Sequence, residues 1–416
     1  MSHLPFSPVV RRVLIGVALP RSPQTPASAV RMAAVGRGLE SRIELLRSAT
    51  RPLPPDVAQL LENVRRGEGT PHDVIRLSHG FAQVATHLTH EVASQAELAE
   101  SLALGLTEPG LWLDETAPPQ YHSLCDAAQL AEATGLTVID AFAARDLSAG
   151  GRGGPVTALP QWMLLHDAKK PRVLVDLGRT TRLTYLPASS EGSGAARVMA
   201  LEVGPGTQLL DRLTYELTDG QNAIDHGGRF AVQGRSLPPL IEHWLQSPEL
   251  TSTQLAWQPD GVPVEGFFDE AIRLGVASNW SICDLLCSAN SLIAELAARL
   301  IRSKIPKIPP LGELLVTGGG KKNGLLLCEL AARLPELELT PITVLGIRPE
   351  LLDATCAAML ALLHLLQSPA SGTMITGSSA PRVLGRLTPG SPHNWQRAVK
   401  ELAANTPAMM SLRSAV

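Results

Sequence analysis

The sequence contains few aromatic residues and no concentration of charge of one sign. Aromatic side chains make up 4% of its 416 residues, the formal net charge at pH 7 is -3, and no basic block occurs along the chain. Proteins that bind nucleic acids need a basic surface, and those that bind single strands also use aromatic side chains on which bases stack. The composition therefore argues against a nucleic-acid partner.

The sequence also lacks a long apolar run. No stretch approaches the ~20 apolar residues that a membrane-spanning helix requires, so we expect no membrane partner. One shorter run, 13–19, follows Arg11 and Arg12 and superficially resembles an export signal. Because this run is short and no cleavage motif follows closely, we interpret it as the first buried strand.

Cysteine is scarce and irregularly spaced. The five cysteines form an odd set without the pattern of a disulfide framework, which predicts reduced thiols and a cytoplasmic protein. Cys283 and Cys287 lie four residues apart on a predicted helix, as buried apolar residues or as two zinc ligands. Since further ligands are missing nearby, we predict that both are buried and that no metal site is built from them.

What the chain does contain is a long alternation of strands and helices. A chain of 416 residues, of which 44% are apolar, is too long for one ordinary core and predicts two α/β lobes. Strands are predicted at 13–19, at 172–178 and at 183–186, the last two joined as a hairpin. Apolar residues at helical spacing predict long helices at 71–95 and 281–303. The alternation indicates an α/β protein with mixed sheets.

A glycine run follows one predicted strand directly. The strand 313–317 leads into Gly318, Gly319 and Gly320, and a helix is predicted from about Asn323. Glycines let the backbone approach a nucleotide, and a helix amino end presents free N–H groups with partial positive charge. Taken alone, the same pattern also describes a tight strand-to-helix connection.

Two carboxylates lie beside other glycine turns. Glu202 precedes a Gly-Pro-Gly turn at 204–206, where it could act as a general base in a cleft or be a solvated loop residue. Asp146 precedes a glycine cluster at 150–154, where it could bind a sugar hydroxyl or cap the turn.

Six segments, in this order and spacing, resemble motifs of the anhydro-N-acetylmuramic acid kinase family over nearly the whole chain. They are the strand and glycine turn at 135–155, the D-x-G-P-G-like segment at 202–206 with Asp211, the D-x-x-G-x-x-A-x-x-G run at 225–234, the G-G-G-x-x-N-x-x-L motif at 318–326, the helix start Gly346-Ile347 with Asp353-Ala354, and the terminal Thr376-Gly377…Val383-Leu-Gly385. A single motif would be weak, but their collinearity identifies the chain as a divergent family member.

The resemblance implies a fold, a reaction and a set of site residues. The fold is the two-lobed, duplicated ribonuclease H-like architecture of sugar kinases, actin and heat-shock ATPases. The reaction uses ATP and Mg²⁺ to open the 1,6-anhydro ring of the amino sugar and to phosphorylate O6. By position, Glu202 is the catalytic carboxylate. The substrate-binding residues are Asp146, Gly150 and Gly151, and the ATP-binding residues are Gly204, Gly206, Gly318, Gly319, Gly320 and Asn323.

The resemblance also implies how the chain is organised. We predict a substrate-side lobe at 10–165, a nucleotide-side lobe at 166–392 and a C-terminal helix with a frayed tail at 393–416. Members of the family are usually homodimers, so a homodimer is expected here.

The first strand departs from the family pattern at the point where the strand ends. The family continues into a glycine-containing M-S-G-T-S-x-D-G hairpin that cradles ATP phosphates and places an acidic residue near the metal. Here Pro20 and Pro23 remove backbone donors, no glycine follows Gly16 until Gly36, and no acidic residue precedes Glu40. Phosphate contacts from this hairpin are therefore expected to be largely lost.

Other catalytic positions have changed as well. Glu202 stands where the family has the water-activating Asp, and the added methylene shifts the carboxylate by about 1 Å, a misplacement that can reduce the rate ~10²-fold. Arg179 and Arg182 enter the family's N-x-G-G-x-x-N hairpin, where they either bind phosphate or fill the vacated site. The family's C-H-G-Q-T and T-G-R-E segments have become 104–108 and 260–263.

Three functions fit these changes. The protein is a working kinase with rebuilt phosphate contacts, a pseudokinase that binds ligand without turnover, or a structural or regulatory dimer subunit. The changes favour impaired or absent activity over normal activity of the family type.

Overall fold

A computed structural model describes residues 10–36, 38–113, 119–190, 194–251, 264–306 and 310–405. The strands in these ranges are β1 (Arg11–Ala18), β2 (Ala27–Val35), β3 (Arg42–Arg51), β4 (Ala103–Thr107), β5 (Leu111–Leu113), β6 (Gln120–His122), β7 (Val138–Asp140), β8 (Arg172–Leu177), β9 (Thr180–Leu186), β10 (Met199–Pro205), β11 (Glu313–Thr317), β12 (Glu338–Pro341) and β13 (Arg386–Thr388).

The helices were predicted mainly from apolar periodicity. They are α1 (Pro55–Arg65), α2 (Pro71–Val92), α3 (Gln95–Glu100), α4 (Ala127–Thr134), α5 (Phe142–Ser148), α6 (Ala158–Leu165), α7 (Thr207–Leu217), α8 (Pro238–Leu245), α9 (Pro248–Thr251), α10 (Glu265–Ser278), α11 (Ile282–Lys304), α12 (Gly324–Arg333), α13 (Leu352–Leu365) and α14 (Pro392–Asn405). The long predicted helices are confirmed as α2 and α11. Each begins with a capping box, Thr70 with Asp73 and Ser281 with Asp284, which satisfies free N–H groups of the first turn.

The chain divides into two compact units. The first unit contains residues up to Met163 and again from Glu350, and the second is Leu164–Pro349. The first has a six-stranded sheet in the order β13-β7-β4-β1-β2-β3, and the second has a five-stranded sheet in the order β10-β9-β8-β11-β12.

One strand arrangement is common to both sheets. In each unit three antiparallel strands in sequence order, β1–β3 or β8–β10, are followed by parallel strands beside the first of the three. The parallel additions are β4 and β7 in the first unit and β11 and β12 in the second. This repeated order confirms the predicted duplicated ribonuclease H-like fold with mixed sheets.

The predicted division at residue 392 differs from the structure. We assigned 166–392 to the C-terminal lobe, whereas the structure places 350–392 in the first unit together with α14. The physical reason is α13, which is apolar on all sides and packs against β1, β2 and β4. A Cβ added at Gly16 or Gly105 would overlap the α13 backbone, so these two glycines allow the helix to lie directly on the sheet.

Each unit has its own apolar core. In the first, residues of α1 and α2, among them Leu61, Leu77 and Phe81, pack over β1 and β4. In the second, α7 and α11 contribute Leu209, Leu213 and many residues of the long helix to the core beneath β8–β10. Within the described residues, no helix is both long and apolar enough to cross a membrane.

The cysteine prediction is confirmed for one residue of the pair and not for the other. Cys287 is buried, whereas Cys283 is only partly buried. Among the described residues no group of three or more His, Cys, Asp or Glu side chains could hold a metal ion.

Candidate active site

In the second unit, the β8–β9 hairpin turn is joined to the start of α7. The carbonyl oxygen of Arg179 accepts hydrogen bonds from the backbone N–H of Gly206 at 3.0 Å and of Gln208 at 3.2 Å, and that of Gly178 accepts one from Thr207 at 2.8 Å. A Cβ at Gly206 would overlap the Gly178 carbonyl oxygen, so only glycine lets the two segments approach this closely. The hairpin turn and the Gly-Pro-Gly segment thus form one backbone unit.

The glycine run after β11 packs on the other side of the same hairpin. Gly318 has a φ of +86°, and a Cβ there would lie 2.5 Å from Oδ1 of Asp176. Gly320 packs against Leu177, whereas nothing lies within 4 Å of a Cβ placed on Gly319. The run is therefore anchored at its two ends and borders open space at Gly319. This is the local geometry that lets a phosphate or a ribose approach a backbone.

Asn323 has a structural role at the start of α12. Its side-chain oxygen accepts a hydrogen bond from the backbone N–H of Leu326 at 3.1 Å, and its amide nitrogen donates to Asn290 at 2.9 Å. The side chain is 7% exposed and also packs against Gly228, where a Cβ would overlap its oxygen. The predicted nucleotide contact of Asn323 is untested, and what the described residues show is a helix cap.

The 225–234 motif is likewise explained by packing. The carboxylate of Asp225 accepts hydrogen bonds from the backbone N–H groups of Phe230 at 2.9 Å and Ala231 at 3.0 Å. A Cβ on Gly234 would overlap the backbone of Cys283 at the start of α11. The motif fixes a short irregular segment against α11 and α12.

Glu202, the predicted catalytic carboxylate, is held by Arg182. The two residues are directly opposite each other on β10 and β9, and Nε of Arg182 lies 3.0 Å from Oε2 of Glu202. The Glu202 side chain is fully buried, and 26% of the Arg182 side chain is exposed. A carboxylate of this kind is a member of a buried ion pair rather than a solvated loop residue.

A polar row extends from this ion pair across the sheet. Arg182 is also directly opposite Asp176 on β8, and Asp176 is in turn opposite Thr317 on β11. Residues directly opposite each other in a sheet project from the same face. Glu202, Arg182 and Asp176 therefore form one row of alternating charge, which continues to the hydroxyl residue Thr317 beside Gly318.

Asp211 lies one helical turn beyond the hairpin contact. Burial raises the pKa of Asp211 to about 7, and the nearby guanidinium of Arg179 opposes that shift. The same arginine has its terminal nitrogen 3.5 Å from the side-chain oxygen of Gln208, which is 8% exposed. Arg179, Gln208 and Asp211 therefore form a second polar cluster at the hairpin turn.

In the first unit, Asp146 organises the glycine turn. Its carboxylate accepts hydrogen bonds from the backbone N–H of Gly153 at 2.8 Å and from the hydroxyl of Thr376 at 2.6 Å. A Cβ on Gly151 would overlap the same carboxylate, while nothing lies within 4 Å of one placed on Gly150. Burial raises the pKa of Asp146, and these hydrogen bonds oppose the shift. The carboxylate thus shapes the turn and ties it to the Thr376 segment.

An aromatic pair borders this turn. Trp112 packs against Gly153 and meets Tyr121 edge to face, with ring centroids 4.8 Å apart. The hydroxyl of Tyr121 donates a hydrogen bond to Glu108, a buried carboxyl whose pKa is raised by burial. The half-buried indole of Trp112 presents a large apolar ring beside this polar turn.

A cavity of about 510 Å³ lies nearby, and three of its polar side chains already have partners. Tyr121 bonds Glu108, Asp126 caps α4, and Arg386 forms a bidentate ion pair with Asp140. These contacts give no indication of a ligand in the cavity.

The β1–β2 connection confirms that the first hairpin is altered. Residues 19–26 join the strands without a glycine, and three prolines in this connection have no backbone N–H to offer. The backbone N–H of Thr25 donates to Ser22 at 3.0 Å and that of Leu19 to Thr107 at 2.9 Å. Two backbone donors of the connection are therefore already engaged within the protein.

The sequence matches a known family over most of its length. The family model for anhydro-N-acetylmuramic acid kinase matches residues 24–390. The chain belongs to the anhydro-N-acetylmuramic acid kinase family. The match begins after β1 and after residues 20–23, the part of the family pattern that has changed.

Several relatives carry the family name. The chain is 31% identical over 362 residues to the anhydro-N-acetylmuramic acid kinase of Gloeobacter violaceus, covering 85% of this chain and 93% of that protein. It is 26% identical to the enzyme of the same name from Acaryochloris marina, with the same coverage of both proteins. Among solved structures it is similar to the activator of the 2-hydroxyisocaproyl-CoA dehydratase from Clostridium difficile, with 13% identity, a TM-score of 0.40, and coverage of 83% of this chain and 93% of that chain.

The family motifs did not reveal every polar residue of the site. Gln208 and the raised pKa of Asp211 were missed, because their burial depends on how α7 packs against the hairpin. Trp112 was missed because no sequence periodicity relates it to the glycine turn. The altered T-G-R-E segment at 260–263 lies outside the described residues.

Proposed function

We propose that this family member binds ATP with Mg²⁺ and the family's amino sugar, and that its turnover to the 6-phosphate is strongly impaired. The observation that carries the proposal is the buried ion pair between Glu202 and Arg182. Family membership supports the ligands, and this pair supports the impairment.

The nucleotide is assigned to the second unit. Gly206 and Gly318 hold the hairpin turn between two glycine segments, and the run borders open space at Gly319. A backbone held in this way needs no reorganisation when a phosphate binds, which is what phosphoryl transfer requires of its protein. Gly204 and Gly320 act in this proposal as close-packing residues and Asn323 as a helix cap.

Magnesium would complete the nucleotide site. Mg²⁺ usually binds through one or two carboxylates together with substrate phosphates, and Asp176, which lies beside Gly318, fits such a donor set. When bound, the ion neutralises phosphate charge.

The sugar is assigned to the glycine turn of the first unit. Because the Asp146 carboxylate is engaged by Gly153 and Thr376, we propose that it acts by shaping the turn. The backbone at Gly150 and Gly151 would then contact the sugar hydroxyls, and Trp112 would cover an apolar face of the ring.

The proposed impairment follows from what the catalytic carboxylate must do. In the family reaction an Asp takes a proton from the water that attacks the anomeric carbon, and the ring oxygen released attacks the γ-phosphate. A general base has to come within hydrogen-bond reach of that water. Here Oε2 of Glu202 is engaged by Arg182 and the side chain is fully buried. The longer Glu side chain adds a displacement of about 1 Å, which alone can reduce the rate ~10²-fold.

The test measures binding and turnover separately. Calorimetry of ATP·Mg²⁺ into the full chain, with and without anhydro-N-acetylmuramic acid, should detect nucleotide binding that the sugar strengthens. A phosphate-transfer assay should show a rate at least ~10²-fold below that of the Gloeobacter relative. Absence of ATP binding by a folded sample would refute the kinase-type function, and a rate equal to the relative's would refute the impairment.

A double substitution tests the cause. Arg182→Asn together with Glu202→Asp restores the family residues at both positions and removes the ion pair, so turnover should rise at least ~10-fold. A pseudokinase without turnover, the alternative that the same ion pair favours, predicts no product from the wild type even at stoichiometric enzyme.

We also propose a cytoplasmic homodimer, as the family resemblance and the reduced thiols indicate. Light scattering of the purified chain during size-exclusion chromatography tests the dimer, since a monomeric mass at micromolar concentration would contradict it.

A further inference from the structure

The β8–β9 hairpin carries two arginines where the family pattern has a glycine and an asparagine. We propose that Arg179 contacts the terminal phosphates of the bound nucleotide and that Arg182 does not. The inference rests on the proposed nucleotide-binding function and identifies the group that makes it possible.

The backbone of Arg179 is fixed in position by its neighbours. Its backbone oxygen accepts hydrogen bonds from Gly206 and Gln208, and the neighbouring Gly178 oxygen accepts one from Thr207. The preceding residues, Asp176 and Leu177, are in close contact with Gly318. Arg179 therefore projects from a turn that is held on both sides by the glycine segments assigned to the nucleotide.

The side chain of Arg179 is both exposed and oriented. Arg179 is exposed, and its guanidinium is oriented by the side-chain oxygen of Gln208 at 3.5 Å. A guanidinium presents several N–H donors in a planar fork that matches two phosphate oxygens, and its charge does not depend on pH. An oriented, exposed guanidinium is suited to a multiply charged phosphate.

Arg182 differs from Arg179 because its guanidinium is engaged in a buried ion pair. Arg182 lies within β9, its Nε is 3.0 Å from the buried carboxylate of Glu202, and its other strand neighbour is Asp176. Moving its guanidinium to a phosphate would leave the Glu202 charge buried without its cation, which is strongly unfavourable. Arg182 thus compensates the buried Glu202 within the sheet, whereas the guanidinium of Arg179 lies at the exposed turn with Gln208 and Asp211.

Charged side chains of both signs surround the β8–β9 turn. Asp176 and Asp211 both lie at the turn, and Lys321 and Lys322 follow the glycine run. The Arg182–Glu202 pair is neutral overall. The carboxylates of Asp176 and Asp211 at this turn would by themselves oppose the approach of a phosphate. The guanidinium of Arg179 offsets part of that negative charge at the tip of the hairpin.

The experiment compares nucleotides that differ only in their terminal phosphates. The Kd values of ATP·Mg²⁺, ADP·Mg²⁺ and AMP are measured by calorimetry for the full-length wild type and for Arg179→Gln. Loss of a charged hydrogen bond should weaken ATP binding ~10- to 100-fold, and AMP binding should change less than about 2-fold because AMP lacks the phosphates concerned. Arg179→Gly, which restores the family residue, should behave like Arg179→Gln.

The controls separate the possible failures. Arg299→Gln removes an equally exposed arginine from the distant part of α11, where it pairs with Glu295, and should leave ATP affinity unchanged. Thermal unfolding of each variant checks that it is folded. Unchanged or tighter ATP binding by Arg179→Gln and Arg179→Gly, with normal binding by the wild type, would overturn this inference alone. A wild type that binds no nucleotide would overturn the proposed function and this inference with it.

Discussion

The two units share one strand order but differ in the length and residues of the connection in their first hairpin. In the first unit, β1 and β2 are joined by residues 19–26, which contain three prolines and no glycine. In the second, β8 and β9 are joined by Gly178 and Arg179 alone, and this turn is held by Gly206 and Gly318. The fold therefore tolerates either connection, since both sheets keep the same order.

The difference lies in the groups that each hairpin could offer to a ligand. Prolines in the first connection remove the N–H donors that a phosphate would use, whereas the second connection keeps its glycine neighbours and gains a guanidinium. Elsewhere in the first unit, Gly16 and Gly105 have a structural role, because the backbone of α13 packs directly on them. Fold maintenance and the proposed phosphate recognition thus depend on separate positions, and four predictions test that separation.

The largest effect on stability is expected when one partner of the buried ion pair in the second unit is removed. Arg182→Met leaves the Glu202 carboxylate buried without its guanidinium and should lower the free energy of unfolding by about 3 kcal/mol. Denaturant-induced unfolding monitored by fluorescence measures this change. Arg182→Met combined with Glu202→Gln should be less destabilised than Arg182→Met alone. A double variant as unstable as the sum of the single variants would mean that the pair is not coupled.

A smaller effect is expected where the second hairpin meets α7. Gly206→Ala places a methyl group against the Gly178 carbonyl oxygen and should lower the free energy of unfolding by about 2 kcal/mol. Gly319→Ala is the matched control, because a Cβ there meets nothing within 4 Å, and it should change stability by less than about 0.5 kcal/mol. Equal effects of the two substitutions would show that the hairpin is not held by this contact.

Local patterns predicted the elements of the fold well. The apolar stripe of α2 and the β-branched run at 13–19 each produce structure through neighbours in sequence, so their identity was confirmed and their ends differ by a few residues. Residues 350–392 were assigned to the wrong unit because the position of α13 depends on Gly16 and Gly105, which lie far away in sequence.

The candidate site was predictable in its glycines and less so in its polar contacts. The Gly318 run and Gly206 were found from motifs, and both adjoin the hairpin as expected of a shared site. The pairing of Arg182 with Glu202 was not predicted, because it depends on the register between β9 and β10. Asn323 was chosen for its motif position, while its helix-capping contacts depend on Asn290 in another helix.

The third prediction concerns pH. The pKa of Asp211 is raised from its ordinary 3.8 to about 7 by burial, so the native state binds a proton that the unfolded state releases. Its contribution to stability is present below about pH 4 and is lost as the pH rises to about 7, by at most about 1.4 kcal/mol per pH unit. Asp211→Asn, which resembles the protonated form, should differ less from the wild type at pH 5 than at pH 8, where it should be the more stable protein. Parallel unfolding profiles of the two proteins from pH 5 to 8 would contradict the shift.

The smallest effect is expected in the first hairpin. Ser22 and Thr25 are the hydroxyl side chains of the β1–β2 connection that remain for phosphate contact, and the Ser22 hydroxyl already donates to Gln24. If phosphate recognition has passed to the second unit, Ser22→Ala with Thr25→Ala should change the Kd of ATP·Mg²⁺ less than about 2-fold, against the ~10- to 100-fold expected for Arg179→Gln. Calorimetry on both variants in one buffer measures the ratio directly. If Ser22→Ala with Thr25→Ala weakens ATP·Mg²⁺ binding as much as Arg179→Gln does, the first hairpin still binds phosphate despite its prolines. The two hairpins would then differ in sequence more than in function.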